Sequence, residues 1–217
     1  MLNRDAKLCY NFVIQPLLWR IHTLQISAVL LAAGLSLRMG EDKLMLRYRD
    51  KTFLQRAIDL VAELPVFERV LVISAPRLDF ARKIDMEIPS DFRIVVNNKP
   101  EKGQGESVRL GIEATHEGSH LFFFPADQPL LTAVDIAKYF ELLENHPDRI
   151  IYPIIDDKPN SPTLFPLRFR RELLLLKGDS GGSIVRNANT EFCHSFSPEN
   201  PKHFADFDRM EELNDLL

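Results

Sequence analysis

ISAVLLAAGLSLRMGEDK, residues 26–43, indicates more about the fold than any other stretch of the chain. Residues 26–31 form a short apolar run that small and charged residues follow at once. A short run without polar alternation predicts a strand that is buried on both faces of a sheet. The apolar stretch at 26–35 reaches only about half of the ~20 residues that a membrane-spanning helix needs. We therefore predict no membrane span.

Strand-like and helix-like patterns alternate along the rest of the chain. Apolar runs predict further strands at 69–74, 93–96, 120–124 and 149–153. Helical spacing and capping residues predict helices at 53–64, 106–115, 133–143, 167–176 and 208–217. This alternation predicts an α/β fold with three layers, built on a doubly wound, mostly parallel, Rossmann-like sheet. Ligands of such sheets bind at the carboxyl ends of the strands.

Length and composition are typical of one folded domain. The chain has 217 residues, of which 45% are apolar and 27% are charged. Residues 1–25 fit poorly with the pattern that follows, so we divide the chain into an N-terminal extension at 1–25 and a domain at 26–217. The extension is open to three interpretations: a segment packed on the domain, a loose tail, or sequence upstream of a misassigned start.

Charge and cysteine content disfavour several classes of function. The net charge of −4 disfavours nonspecific nucleic-acid binding, because phosphate backbones attract positive surfaces. Cys9 and Cys193 are far apart, and no cysteine–histidine cluster has zinc-ligand spacing. We expect a cytoplasmic protein with reduced thiols, although one disulfide is also compatible with the sequence. We expect neither nucleic acid nor a membrane as a partner.

The segment after the first strand combines small residues with cations. Residues 31–34 are Leu-Ala-Ala-Gly, which lets a ligand lie against the backbone, and N–H groups of such a turn bind anionic oxygens. Arg38 and Lys43 add positive charges suited to a polyphosphate. Neither G-x-x-x-x-G-K-[ST] nor G-x-G-x-x-G occurs in this segment. An ordinary strand-to-helix loop with solvated charges is the alternative interpretation.

Two later segments also carry candidate ligand-binding residues. Gly103, Gly105 and Ser107 stand at the start of a predicted helix, where glycine backbone groups could contact a base and Ser107 either caps the helix or binds the ligand. Asp127 follows the apolar strand at 120–124, where a carboxylate is costly unless it has a partner. Mg²⁺ bridged to phosphate oxygens is such a partner, and a turn or helix-cap role is the alternative.

Taken together, these segments resemble the motifs of the nucleotidyltransferases that build molybdenum-cofactor dinucleotides. LAAG-x-S-x-RMG-x-x-K at 31–43 resembles the loop that wraps the nucleoside triphosphate in that family, and Ala33 favours the molybdenum cofactor cytidylyltransferase branch over the guanylyl branch. G-x-S-V-R-x-G at 105–111 resembles the segment that borders the base and ribose. DQPL at 127–130 resembles the metal-binding motif, and Asp-Phe-Asp at 206–208 resembles the segment that supplies a second carboxylate.

The resemblance covers residues 26–217 and implies a nucleotidyltransferase fold and reaction. The phosphate of molybdenum-bound molybdopterin would attack CTP and release pyrophosphate, with Mg²⁺ held by Asp127 and Asp208. Asp206 is the alternative second ligand, and capping of the last helix is the alternative role for either residue. The implied catalytic residues are Arg38, Lys43 and Asp127. The implied nucleotide-binding residues are Leu31, Ala32, Ala33, Gly34, Ser36, Arg38, Met39, Gly40, Lys43, Gly103, Gly105 and Ser107.

Other functions stay open on the sequence alone. Asn160-Ser161-Pro162 stands where the family commonly has Gly-His-Pro, so a sugar phosphate or an alcohol phosphate is an alternative acceptor. A GTP-using molybdopterin guanylyltransferase and a noncatalytic cofactor-binding partner are further alternatives. The expected partners are a nucleoside triphosphate, molybdopterin, and a molybdoenzyme or its maturation factor.

Overall fold

One eight-stranded sheet organises the protein in a computed structural model that describes residues 25–34 and 42–207. The strands of this sheet are β1 (Ile26–Ala32), β4 (Glu68–Ser74), β5 (Phe92–Asn97), β6 (His120–Pro125), β7 (Ile150–Ile155), β8 (Lys158–Pro159), β9 (Thr163–Phe165) and β10 (Cys193–Phe196). A separate antiparallel hairpin consists of β2 (Arg47–Tyr48) and β3 (Lys51–Thr52).

Helices connect most of the strands. The α-helices are α1 (Phe53–Glu63), α2 (Ala75–Lys83), α3 (Gln104–Glu113), α4 (Ala133–Asn145), α5 (Arg170–Leu174) and α6 (Gly182–Ala188). Short 3₁₀ turns are found at Lys43–Met45, Pro100–Lys102, Leu167–Phe169, Thr190–Phe192 and Pro201–Phe204. None of the helices in the described part of the chain has the length and apolarity required to cross a bilayer.

The strand order reverses at β1, and this reversal creates a crevice beyond the carboxyl ends of the strands. The order is β10-β7-β9-β6-β1-β4-β5, and β1 pairs in parallel with both β4 and β6. The chain runs outward from β1 through β4 to β5 and then returns to the other side of β1 as β6. In a doubly wound sheet, ligands bind where the strand order reverses, beyond the carboxyl ends of the strands. The residues that follow β1 and β6 therefore border the crevice.

Apolar side chains fill a layer on each face of the sheet. Phe122 and Phe124 on β6 lie in one buried cluster with Tyr139 of α4, and the Phe122 and Tyr139 ring centroids are 4.7 Å apart. Phe123, which points to the opposite face, lies in a second buried cluster with Val108 of α3. This alternation follows from the two-residue period of a strand. The predicted three-layer α/β fold with a mostly parallel sheet is confirmed.

Several predicted elements need correction. The helix α2 was not predicted, and Pro76 stands in its first turn, where proline is well tolerated because that N–H has no helical partner. The helix predicted at 167–176 is a 3₁₀ turn followed by the five-residue α5. The short strands β2, β3, β8, β9 and β10 and the helix α6 were not predicted either. The extension up to residue 24 and the helix predicted at 208–217 lie outside the described residues.

Candidate active site

A carboxylate and an ammonium group meet where the strand order reverses. Asp127 follows β6 by two residues, and Lys43 is the first residue of a 3₁₀ turn. Lys43 Nζ lies 2.6 Å from Asp127 Oδ2, and the two side chains are 26% and 20% exposed. A ligand in the crevice can therefore approach both groups. The structure brings together two residues that were predicted to be catalytic, and their catalytic roles stay predictions.

The second carboxylate oxygen of Asp127 fits a divalent cation. Asp127 Oδ1 is buried and has no hydrogen-bond partner among the residues that the structure describes. A buried oxygen without a donor is costly, and a cation would supply the missing partner. Mg²⁺ commonly takes only one or two protein carboxylates and completes its shell with phosphates and waters. The donor set around Asp127 is thus compatible with the predicted magnesium site.

The C-terminal acidic segment approaches Asp127 through the backbone. The N–H of Phe207 donates to the carbonyl oxygen of Asp127 at 3.2 Å. The Phe207 side chain is 2% exposed and packs with Tyr48 and Phe53. Asp206, one candidate for the second metal ligand, is exposed beside it. Asp208, the favoured candidate, lies outside the described residues, so the choice between them stays a prediction.

Gln128 joins this turn to two other segments. Its side chain is 4% exposed. Its Nε2 donates to the carbonyl oxygens of Phe204 at 2.8 Å and Ser161 at 3.2 Å, and lies 3.4 Å from Asn160 Oδ1. The residues that replace the family's Gly-His-Pro therefore lie directly against the turn that carries Asp127. The DQPL motif is visible in the sequence, but the hydrogen bonds by which its glutamine joins these segments are not.

Arg56 supports the same turn from α1. Its Nε donates to the carbonyl oxygen of Pro129 at 2.8 Å. Its guanidinium carbon lies 4.9 Å from the centroid of the Tyr48 ring, and the Arg49 guanidinium lies 5.1 Å from that centroid. Burial lowers the pKa of Arg56 from its ordinary value, but a guanidinium stays protonated at neutral pH. No sequence motif had singled out this arginine.

The end of β1 offers a small-residue surface to a ligand. Ala32 and Ala33 are each 1% exposed, Leu31 is half-buried and Gly34 is exposed. Among the described residues, no atom lies within 4 Å of a Cβ atom added at Gly34. These features agree with the expected close approach of a nucleotide. The other residues of this motif that were predicted to bind nucleotide lie outside the described residues: Ser36, Arg38, Met39 and Gly40.

A buried arginine connects the described residues on either side of positions 35–41. Arg77, in the first turn of α2, is 4% exposed. Its Nε and Nη2 lie 2.6 Å and 2.7 Å from the two carboxylate oxygens of Asp42. Nη2 also lies 3.1 Å from the carbonyl oxygen of Gly34, and Nη1 donates to that of Ala32. Neither residue was predicted, because Arg77 lies outside the motifs and Asp42 occupies an unspecified position of the motif at 31–43.

Glycines at the start of α3 allow a close approach to the loop at 177–181. Gly105 N–H donates to the carbonyl oxygen of Gly178 at 2.9 Å, and Gly103 N–H donates to that of Pro100 at 3.1 Å. Both N–H groups therefore donate inside the protein. A nucleotide contact through other backbone atoms of the two glycines stays a prediction.

Ser107 is neither a cap nor an exposed donor. It lies inside α3, which begins at Gln104 rather than at the predicted residue 106, and its side chain is buried. Ser107 Oγ accepts a hydrogen bond from Asn97 Nδ2 at 3.0 Å. The capping interpretation is wrong because the residue that caps α3 is Gly103. A contact between Ser107 and the nucleotide stays a prediction.

Replacing Gly103 with alanine is expected to destabilise the fold. Gly103 has a φ of 87°, and a Cβ atom there would lie 2.3 Å from the backbone carbonyl carbon of Gly178. The backbone strain alone costs about 1–3 kcal/mol, and the clash adds to it. Urea denaturation of Gly103→Ala measures the loss, with Gly34→Ala as the control, which should change stability by less than about 0.5 kcal/mol. Equal stability of the two variants would contradict the packing described above.

Most of the described residues match a known protein family. Residues 28–192 match the family described as the MobA-like NTP transferase domain. The chain belongs to this family. The resemblance predicted from the motifs is thereby confirmed at the level of the family, and the protein is a member of a nucleotidyltransferase family.

Relatives in the MobA-like NTP transferase family carry two kinds of name. A nicotine blue oxidoreductase from Paenarthrobacter nicotinovorans is 31% identical over 201 residues, which are 88% of this chain and 96% of that protein. A molybdenum cofactor cytidylyltransferase from Escherichia coli K12 is 29% identical over 141 residues, which are 64% of this chain and 69% of that protein. The family thus includes a relative named as a transferase and one named as an oxidoreductase.

Solved structures support the fold. The crystal structure of Rv0371c from Mycobacterium tuberculosis H37Rv has a TM-score of 0.72 and 22% identity, and the match covers 89% of this chain and 97% of that chain. A complex of Rv0371c with manganese also matches, with a TM-score of 0.68 and 20% identity. At these identities the likeness concerns the fold alone.

Proposed function

We propose that this protein transfers CMP from CTP to the phosphate of molybdenum-bound molybdopterin and releases pyrophosphate. The observation that carries the proposal is the pair of Lys43 and Asp127 at the carboxyl ends of the strands that flank the crevice. Lys43 Nζ lies 2.6 Å from Asp127 Oδ2. The choice of CTP is supported by Ala33 in the LAAG motif and by the name of the Escherichia coli relative. Residues 26–217 would form the catalytic domain, with residues 1–25 as an extension.

In the proposed reaction, one phosphate displaces another. An oxygen of the acceptor phosphate forms a bond to the α-phosphorus of CTP, and the bond from that phosphorus to the pyrophosphate oxygen breaks. The attacking oxygen already carries negative charge, so no general base is needed. The protein's task is to hold two anions in line and to neutralise the charge on the leaving oxygens.

Lys43 and Asp127 divide this task between them. Lys43, together with Arg38, would donate to the α-phosphate and the departing pyrophosphate. Asp127 keeps the Lys43 ammonium at the edge of the sheet and would hold a divalent cation together with Asp208. Bound Mg²⁺ supplies positive charge that offsets the charge of the phosphates.

Product analysis with labelled nucleotides tests the proposal. The protein is incubated with Mg²⁺, molybdopterin and each of the four ribonucleoside triphosphates labelled at the α-phosphate, and pyrophosphate and labelled dinucleotide are measured. We expect label in a dinucleotide and release of pyrophosphate with CTP. A dinucleotide made only from GTP would favour the guanylyl reaction, and transfer only to sugar or alcohol phosphates would favour the other acceptors. Nucleotide binding without turnover would favour a noncatalytic partner.

A redox reaction is the second candidate function. The relative named nicotine blue oxidoreductase matches 88% of this chain at 31% identity, a longer match than that of the cytidylyltransferase. The assay incubates the protein with nicotine blue and an added electron donor, and follows the absorbance of nicotine blue. Reduction of the dye without any pyrophosphate release from the four triphosphates would favour the oxidoreductase. We expect pyrophosphate release with CTP and no reduction of nicotine blue.

A further inference from the structure

We propose that Arg77 is a positioning residue that holds Lys43 in place relative to Asp127 and to the end of β1. Arg77 acts through Asp42, which directly precedes Lys43 in the chain. The effect of Arg77 on turnover rests on the proposed function, whereas its effect on the placement of Lys43 does not.

The burial of Arg77 requires the partners that it has. A guanidinium that is 4% exposed loses most of its contact with water, so it needs a counter-charge and acceptors for its N–H groups. Asp42 supplies the charge through both carboxylate oxygens, and the carbonyls of Ala32 and Gly34 accept further hydrogen bonds. The same side chain thus binds Ala32 at the end of β1, Gly34 just after it, and the residue before Lys43.

Asp42 also contacts the turn that begins with Lys43, so the hydrogen bonds between Arg77 and Asp42 constrain the position of that turn. Asp42 Oδ1, which accepts from Arg77 Nη2, also accepts from the N–H of Leu44 at 3.1 Å and caps the 3₁₀ turn Lys43–Met45. Leu44 is 5% exposed and anchors the turn in the core. The orientation of the Asp42 carboxylate therefore determines where the turn starts and where the Lys43 ammonium lies.

The geometry requires an arginine rather than any cation. A planar guanidinium presents donors in several directions, so it can bind a carboxylate with one edge and backbone carbonyls with another. A lysine ammonium at this position keeps the positive charge but cannot reach all of these acceptors at once. Arg77→Lys therefore separates the positioning role of Arg77 from its charge.

Kinetics of Arg77→Lys give the first test. A catalytic group displaced by about 1 Å can cost about 10²-fold in rate, so we expect kcat to fall on that scale while the KM for the nucleotide changes less. The further loss on adding Lys43→Ala should be smaller than the loss in the wild-type protein, because residues that act through one another are not additive. Arg82→Lys is the matched control on the same helix, since the Arg82 side chain is 69% exposed and only reaches Asp79 at 3.7 Å. An additive loss, or an unchanged kcat, would overturn the proposal.

Chemical labelling of Lys43 gives a second test that needs no turnover. The protein without nucleotide is treated with acetic anhydride, and the acetylation rates of Lys43 and Lys51 are measured by mass spectrometry. We expect Arg77→Lys to change the rate at Lys43 several-fold and to leave Lys51, which pairs with Asp59, as it is in the wild-type protein. Asp42→Asn breaks the same connection and should alter labelling in the same way, which covers the case that Arg77→Lys does not fold. Unchanged labelling of Lys43 in the folded variants refutes the proposal, even if the protein proves to use another substrate.

Discussion

Lys43→Ala lowers the turnover of nucleotidyl transfer by roughly 10²–10³, the scale expected for the loss of one preorganised group that stabilises charge in the transition state. The ammonium of Lys43 lies at the carboxyl end of the sheet, 2.6 Å from Asp127. In the proposed reaction, an alanine there would leave the charge on the departing pyrophosphate without this donor. Steady-state kinetics with saturating nucleotide and Mg²⁺ measure the loss.

Lys51→Ala is the matched control for this experiment. Lys51 Nζ lies 2.5 Å from Asp59 Oδ2, and its side chain is 46% exposed. The hydrogen bond with Asp59 raises the pKa of Lys51, yet an exposed ion pair contributes little to stability. We therefore expect Lys51→Ala to keep the activity of the wild-type protein. If a folded Lys43→Ala variant turned over at a rate close to that of this control, Lys43 would have no catalytic role.

Asp127→Asn raises the Mg²⁺ concentration needed for half-maximal activity, by about 10–100-fold or more, since even loss of an outer contact to a metal ligand has an effect of this size. The amide keeps the shape of the side chain but loses the negative charge that would attract the cation. The fold should persist, because the bond between the Asp127 carbonyl and Phe207 N–H is made by the backbone. A magnesium titration of the transfer rate measures the shift.

Asp91→Asn tests whether this shift is specific. Asp91 forms an ion pair of 3.0 Å with Arg69, and its side chain is 54% exposed. Asp91→Asn removes the same charge as Asp127→Asn, but Asp91 lies outside the proposed site. We expect its magnesium titration to match that of the wild-type protein. Superimposable curves for the two variants would show that Asp127 is not a metal ligand.

The sequence predicted those parts of the fold that local patterns encode. The buried strands β1 and β6 were predicted because each is a continuous apolar run, and α4 because Thr132 caps a run with helical spacing. By contrast, β9 has only three residues and lies antiparallel between two longer strands. A segment this short has too few residues to show a period, so its partners alone determine that it is a strand.

In the candidate site, too, some residues could be predicted from the sequence and some contacts could not. Lys43 and Asp127 could be predicted from the sequence, because strand ends, motif spacing and charge are all visible along the chain. The contacts of Arg77 with Asp42, of Gly105 with Gly178 and of Phe207 with Asp127 were decided only by the tertiary structure. Each of these contacts joins residues that are far apart in the chain. Local periodicity carries no information about which distant segments meet, since that depends on the order of the strands in the sheet and on the packing of side chains between them.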